Sequence, residues 1–184
     1  MISLKSKVVQ AVLNYFFLNP HEALYVNEMA RLLSLDPGNL IKKLSELERE
    51  GILISEFRGH QRYYRLNSDY SFLKEYKAIF AKTFGVESMI KKSFALPGIR
   101  QLILFGSYAR GEMEPESDVD ILVVGDTPHL TLEKSALNLR RHLHREVNVV
   151  DFSEEEFRDR MKRKDPFLMD VLKHPHLNLL EHAV

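Results

Sequence analysis

The spacing of apolar residues changes about halfway along the chain, and this change limits the fold more than any other feature. Through residue 50 the apolar residues recur with a helical period, as they do from Val8 to Phe16 and from Leu40 to Leu47. From about residue 98, short apolar strands alternate with helical segments. The two patterns predict an α+β chain with a helical connector between two domains, divided as 1–68, 69–97 and 98–184.

The first domain is predicted to contain three helices followed by a β-hairpin. Asp36 can cap the third helix and Pro37 suits its first position, while Gly51 marks its end. Two strands, Ile52 to Phe57 and Gln61 to Leu66, then flank a tight turn. This order resembles the winged helix-turn-helix domains of bacterial and archaeal transcription regulators.

That resemblance implies a DNA-binding surface on the third helix and on the hairpin, or wing. The predicted contacts with bases and backbone are Asn39, Lys42 and Lys43 on the helix, and Arg58, His60 and Arg62 on the wing. Basic residues only slightly outnumber acidic ones through residue 68, so we expect modest DNA binding that is helped by a homodimer. The alternative is a winged helix that contacts protein.

The segment LFGSYARGEMEPESDVDILVV carries most of the functional information. Gly106 follows a buried strand and allows a sharp turn close to a ligand, and Ser107 opens a short helix whose free amides suit a phosphate. Arg110, one turn later, adds a positive charge. These three residues predict a nucleotide-binding corner.

Three carboxylates are predicted to form a metal site beside this corner. Asp118 and Asp120 are two residues apart at a strand, so their side chains point to one face, and Mg²⁺ prefers such oxygen ligands. Asp151 ends another apolar strand, and a neighbouring strand would bring it within reach. The sequence therefore predicts a catalytic site with two metal ions, held by all three acids.

The glycine-serine pair, the ten residues after it and the D-x-D resemble the nucleotidyltransferase fold of the DNA polymerase beta superfamily in its minimal form. The resemblance implies a small α/β domain with a mixed sheet, contact of Ser107 with the triphosphate, and metal binding by Asp118 and Asp120. It also implies that Asp151 completes the site and helps to deprotonate the acceptor hydroxyl. Some minimal members are antitoxins that adenylylate a HEPN-type ribonuclease toxin, and the spacing resembles theirs.

Three functions are compatible with these features. The first is a DNA-binding regulator whose C-terminal module transfers a nucleotide, AMP from ATP being expected, to a protein or small-molecule acceptor in an antitoxin-like role. The second is a transcription factor that senses nucleotide without turnover. The third is an enzyme acting on nucleic-acid ends, with the winged helix holding the substrate.

Composition narrows the remaining choices. The chain has no cysteine, which excludes disulfides and thiolate sites and favours the reducing cytoplasm. No apolar run approaches the roughly 20 residues of a membrane span, so we expect a soluble protein. The paired histidines His142 with His144 and His174 with His176 are interpreted as surface residues.

Overall fold

A computed structural model describes residues 4–114 and 117–180. The chain divides into two compact units, Met1–Gly85 and Val86–Val184. Each has its own sheet and its own apolar core. None of the helices in the described ranges has the length and apolar character needed to cross a membrane.

The N-terminal unit places a small antiparallel sheet among its helices. In chain order its elements are α1 (Lys7–Leu18), β1 (Ala23–Tyr25), α2 (Val26–Leu32), α3 (Pro37–Arg49), β2 (Leu53–Arg58), β3 (Gln61–Leu66) and α4 (Leu73–Thr83). The sheet order is β1-β3-β2, with both pairs antiparallel. The predicted succession of three helices and a hairpin is confirmed, with β1 added between α1 and α2.

Local signals in the sequence explain where these helices begin and end. The side chain of Asp36 accepts a hydrogen bond of 2.8 Å from the Asn39 amide, and Pro37 occupies the first turn of α3. Gly51, just past the end of α3, has a φ of 80°, which a glycine adopts readily. One side of α3 is buried through Leu40, Leu44 and Leu47, which are inaccessible to solvent. The helical period seen in the sequence therefore corresponds to the core.

The C-terminal unit alternates strands with helices. Its elements are α5 (Val86–Ser93), β4 (Ile99–Phe105), α6 (Gly106–Arg110), β5 (Val119–Gly125), α7 (His129–Leu143), β6 (Val147–Phe152), α8 (Glu154–Lys162), α9 (Pro166–Lys173) and β7 (Leu177–Asn178). The sheet order is β6-β5-β4-β7. The pair β5 and β6 is parallel, whereas β4 is antiparallel to β5 and to β7, so the sheet is mixed, as predicted.

Each face of this sheet is covered by different helices. On one face Ile103, Leu122 and Phe152 pack with Leu168 and Val171 of α9. On the opposite face α7 packs against β6, and α5 packs against α7. Because side chains alternate along a strand, each position of β5 and β6 belongs to one face only.

Three features of the fold differ from the sequence expectation. The predicted connector 69–97 divides at Gly85, so that α4 belongs to the first unit and α5 to the second. The short strand β1 was not predicted. Ser153 with Glu156 three residues later forms a capping box that predicts one helix. The structure has two helices there, because Lys164 has a positive φ of 53° and Asp165 caps a new helix that begins with Pro166.

Candidate functional site

A cleft of about 440 Å³ opens at the end of β4 and the beginning of β5. One wall is formed by the β4–α6 corner and by the approach to β5, and the other by α9 and the residues after it. The lining residues are Phe105, Gly106, Ser107, Arg110, Ser117, Asp118, Asp120, Asp170, Val171, His174 and Pro175. Five of the six residues predicted to bind nucleotide or metal therefore line one cleft.

Gly106 is required at the corner for two reasons. Its φ is 73°, in the left-handed region that favours glycine. A Cβ atom at this position would also collide with the Oδ2 atom of Asp120. The backbone at Gly106 thus approaches the Asp120 carboxylate as closely as a residue without a side chain permits.

Ser107 and Arg110 line the same wall of the cleft on α6. The Ser107 hydroxyl lies 3.3 Å from the Met113 sulfur, which is a weak acceptor that a phosphate oxygen would readily replace. Arg110 Nε donates a hydrogen bond of 2.7 Å to Glu112. Since this ion pair is exposed to solvent, it contributes little to stability, and the guanidinium can exchange Glu112 for another anion at small cost.

Asp118 and Asp120, the acidic pair, are bridged by a residue that the sequence analysis did not select. Asn148 Nδ2 donates to Asp118 Oδ2 at 3.1 Å and to Asp120 Oδ1 at 3.2 Å. The register of the parallel strands places Asn148 directly beside Asp120. The third polar group at the acidic pair is therefore an amide.

The placement predicted for Asp151 is wrong. The strand β6 does neighbour β5, but Asp151 pairs with Val123, and this odd position faces the side of the sheet covered by α7. There the Asp151 carboxylate lies 2.7 Å from Nδ1 of His129. The hydrogen bond and the charge of Asp151 raise the pKa of His129 above its ordinary value. Asp151 is thus separated from the acidic pair by the sheet itself.

The opposite wall of the cleft supplies two further residues that the sequence analysis missed. His174 follows α9, and its Nδ1 lies 3.0 Å from the Asp170 carbonyl oxygen and 3.3 Å from the Asp170 carboxylate. Both residues line the cleft. His174 is exposed, as predicted. The surface on which it lies is the wall of the cleft. His174 reaches the cleft wall because α9 ends just before it, and α9 was not predicted from the sequence.

A buried arginine binds two backbone carbonyl groups shortly before the acidic pair. Arg145 is only 9% exposed. Its Nη1 donates to the carbonyl oxygens of Glu114 and Ser117, at 2.6 and 2.7 Å. Because the guanidinium is buried and its charged hydrogen bonds are costly to break, Arg145 stabilises the backbone at Ser117, just before Asp118.

The acids present determine how many cations the site can hold. Within residues 4–114 and 117–180 there is no group of three or more histidine, aspartate or glutamate side chains arranged to bind a metal ion. The acidic pair supplies two carboxylates, which suits one hard cation such as Mg²⁺. The predicted set of three carboxylates for two ions does not fit.

On the N-terminal unit, three of the six predicted DNA contacts are engaged by acidic neighbours. Lys43 Nζ lies 2.8 Å from Glu46. Arg58 pairs with Glu56 and stacks on Tyr63, with 4.7 Å from its central carbon to the ring centre. The side chains that share this pattern of pairing are Lys43, Arg58 and Arg62. Their charges are already partly compensated within the unit.

Arg62 has the most extensive of these contacts. Its Nη2 donates to both carboxylate oxygens of Glu48, at 2.9 and 2.7 Å, and its Nε donates to the Ser55 hydroxyl at 2.8 Å. The guanidinium also lies 5.3 Å from the centre of the Tyr64 ring. Such a network connects α3 to the hairpin, which is a structural role.

The other three predicted DNA contacts remain available. Asn39 and Lys42 are exposed on α3, and His60 is exposed at the hairpin turn. No hydrogen bond or ion pair joins these side chains to another residue in the part of the chain that the structure describes. The free part of the predicted surface is therefore smaller than the sequence suggested.

The C-terminal unit can be assigned by comparison with known proteins. Residues 87–174 match the family model of the nucleotidyltransferase domain, from the second residue of α5 to His174. This unit carries a nucleotidyltransferase domain. The domain includes the acidic pair, Asn148 and most of both cleft walls.

Similarity to individual proteins is more local. A stretch of 28 residues is 68% identical to a putative protein adenylyltransferase of Methanocaldococcus jannaschii and covers 15% of this chain and 28% of that relative. A toxin–antitoxin crystal structure with AMP-PNP is 23% identical over 53% of this chain and 74% of its own, with a TM-score of 0.41. A tri-AMPylated Shewanella oneidensis HEPN toxin in complex with an MNT antitoxin gives 21% identity, 51% and 68% coverage, and a TM-score of 0.35.

Proposed function

We propose that the nucleotidyltransferase domain transfers a nucleoside monophosphate, AMP from ATP being expected, to an acceptor hydroxyl. The observation that carries this proposal is the acidic pair at the mouth of a cleft whose wall also presents Ser107 and Arg110. In the reaction, the acceptor oxygen attacks the α-phosphorus and forms the new P–O bond. The bond between the α-phosphorus and the bridging oxygen breaks, pyrophosphate leaves and the hydroxyl proton is released.

The residues of the cleft have different roles in binding the nucleotide. Asp118 and Asp120 would hold Mg²⁺, which neutralises phosphate charge when it is bound. Arg110 can exchange Glu112 for a phosphate, because its present ion pair is exposed. Arg145 holds the backbone at Ser117, next to Asp118, through its hydrogen bond to the Ser117 carbonyl oxygen. These residues bind and orient the nucleotide rather than react with it.

The acceptor we propose is a protein, and specifically a HEPN-type toxin in an antitoxin-like system. Two observations support a protein acceptor of this kind. The spacing from Gly106 to the D-x-D resembles that of minimal antitoxins, and the locally similar relative is described as a protein adenylyltransferase. A cytoplasmic location would suit such a partner.

We further propose that the N-terminal unit is a winged helix that binds DNA. The support is the order of its elements, with the exposed Asn39 and Lys42 on α3 and the exposed His60 at the hairpin turn. With few free positive charges, its affinity for DNA should be modest and would benefit from a homodimer. The unit would bring the transferase to a regulatory site in the genome.

The transfer reaction is tested with α-labelled ATP, Mg²⁺ and a HEPN-type ribonuclease as the acceptor. We expect label on the acceptor, and a roughly hundredfold slower transfer by Asp120→Asn, because a metal ligand is lost. Asp151→Asn is the matched control, since this carboxylate faces the opposite side of the sheet. The absence of transfer by the wild type, or equal loss in both variants, would contradict the proposal.

A second candidate function is a transcription factor that senses nucleotide without turnover. The observation that favours it is that the amide of Asn148, and not the predicted carboxylate of Asp151, lies beside the acidic pair. A sensor should bind ATP in a calorimeter, leave it intact over hours and change its affinity for DNA when ATP is added. Label on any acceptor would reject the sensor in favour of the transferase.

A further inference from the structure

We infer that Asn148 limits the acidic pair to one divalent cation and leaves it without an adjacent carboxylate that could accept the acceptor proton. The inference deepens the proposed function, because it concerns the same cleft. It is carried by the sheet register and by two hydrogen bonds. The register puts residue 148 beside Asp120, and Nδ2 of Asn148 lies 3.1 and 3.2 Å from the two carboxylates of the acidic pair.

The chemistry of an amide differs from that of a carboxylate at this position. Ionised carboxylates only accept hydrogen bonds, so the Asn148 group directed at them is its NH₂, which carries no lone pair for a cation. Each of these hydrogen bonds uses a carboxylate oxygen that an ion would otherwise bind. Asn148 therefore holds the acidic pair together without adding negative charge.

Charge then limits the number of ions. Two divalent cations about 4 Å apart repel each other strongly, and such sites need bridging anionic ligands to offset the repulsion. The acidic pair supplies only two negative charges, and the described residues contain no third acidic or histidine ligand grouped with it. One cation fits this set, whereas two do not.

The presence of an amide instead of a carboxylate at position 148 also affects proton transfer. A carboxylate beside the acidic pair could take the proton of the attacking hydroxyl, whereas a neutral amide has no useful basicity. Asp151 cannot take this role, because it faces α7 and binds His129. Asp170 lies on the opposite wall of the cleft beside His174 and is not grouped with the acidic pair among the described residues. The wild-type domain should therefore transfer nucleotide slowly, and Asn148→Asp should make it faster.

The direct test is a titration of the full chain with Mn²⁺ alone, followed by electron paramagnetic resonance, on the wild type and Asn148→Asp. We expect one ion per wild-type chain, and binding about tenfold tighter in Asn148→Asp, because the count of ligand charges rises. Asp151→Asn, on the same strand but the opposite face, should match the wild type. Thermal unfolding of each variant shows whether it is folded.

A charge-matched double variant keeps the test decisive if three adjacent carboxylates destabilise the fold. Asp118→Asn should weaken Mn²⁺ binding by about tenfold or more, and Asp118→Asn with Asn148→Asp should recover most of it, because two carboxylates are again adjacent, at positions 120 and 148. Recovery in the double variant supports the inference. Two tightly bound ions in the wild type, or no gain from aspartate at 148 in either background, would overturn it.

The test separates this inference from the proposed reaction. If Mn²⁺ binding follows the expected order but no variant transfers nucleotide, the reaction is wrong and the role of Asn148 stands. If the wild type transfers nucleotide as fast as Asn148→Asp and binds Mn²⁺ equally well, the reaction stands and the role of Asn148 is wrong.

Discussion

The acidic cleft of the C-terminal unit and the basic surface of the N-terminal unit differ in whether their charged side chains form ion pairs. In the cleft, Asp118 and Asp120 lie together without an ion pair to any described cationic side chain, and only the neutral Asn148 bridges them. On the N-terminal surface, Arg62 and Lys43 are paired with glutamates. Like charges held together without a counter-charge indicate a ligand, whereas paired charges indicate a structural role.

The largest expected effect follows from changing Gly106, because the acidic pair depends on the space beside it. Gly106→Ala should cost about 1–2 kcal/mol through its left-handed backbone. Its Cβ would also displace the Asp120 carboxylate, so we expect nucleotide and Mn²⁺ binding to be lost. Calorimetric titration and thermal unfolding measure the two effects separately.

Gly111→Ala is the matched control for this experiment. Gly111 has a φ of 74°, but a Cβ there would meet nothing within 4 Å. Gly111→Ala should therefore lose the same stability through its left-handed backbone and still bind nucleotide. Equal loss of binding in both variants would mean that backbone strain, and not the position of Asp120, determines the site.

An intermediate effect is expected at Lys42, which tests whether the unpaired charge on α3 is a ligand contact. Lys42→Ala should weaken binding to duplex DNA by about three- to tenfold and reduce the dependence of the affinity on salt, because one phosphate contact is lost. Lys43→Ala should change both much less, since Glu46 already compensates Lys43. Gel-shift titrations at two salt concentrations measure the affinity and its dependence on salt. Equal effects of the two variants would contradict the assignment of Lys42, rather than Lys43, as the DNA contact.

A smaller effect is expected at Arg62, on stability rather than on binding. Arg62→Met removes the hydrogen bonds to Glu48 and Ser55 and should lower the free energy of unfolding by about 1 kcal/mol. Denaturant unfolding gives this value. If Arg62→Met instead weakened DNA binding more than Lys42→Ala, pairing with glutamate would not distinguish structural from ligand-binding arginines in this unit.

The smallest effect concerns the face of the sheet opposite the acidic pair. The pKa of His129 is raised mainly by its hydrogen bond to Asp151, so the pair contributes stability below the ordinary histidine pKa of about 6.5. This contribution is lost as the pH rises through the raised pKa. The stability difference between wild type and His129→Gln should therefore be greater at pH 6 than at pH 9, with transfer activity unaffected.

Much of the fold could be predicted because local signals coincide with burial. The cap at Asp36 and the glycine at Gly51 bound α3 as predicted, and the alternating strands and helices after residue 98 form the mixed sheet. The strand β1 has only three residues, too few for a periodic pattern. The helix α9 was missed because a positive φ at Lys164 divides what reads as one amphipathic segment.

The candidate site was predicted in part for a related reason. The corner at Gly106 and the acidic pair lie close in sequence, so their spacing is informative. The third position depends on the register between β5 and β6, where a shift of one residue exchanges the two faces. The neighbouring strands were identified, but their register was not. The useful signal was Asn148, a polar residue within an apolar strand.

The amide at position 148 also bears on how this domain can evolve. Both asparagine codons become aspartate codons through a change in the first base alone, so a single mutation would place a third carboxylate beside Asp118 and Asp120. The surrounding strands, the corner at Gly106 and the anchored loop at Arg145 would need no rearrangement. Asparagine and aspartate at this position are thus adjacent in sequence space, and a lineage can move between them without rebuilding the fold.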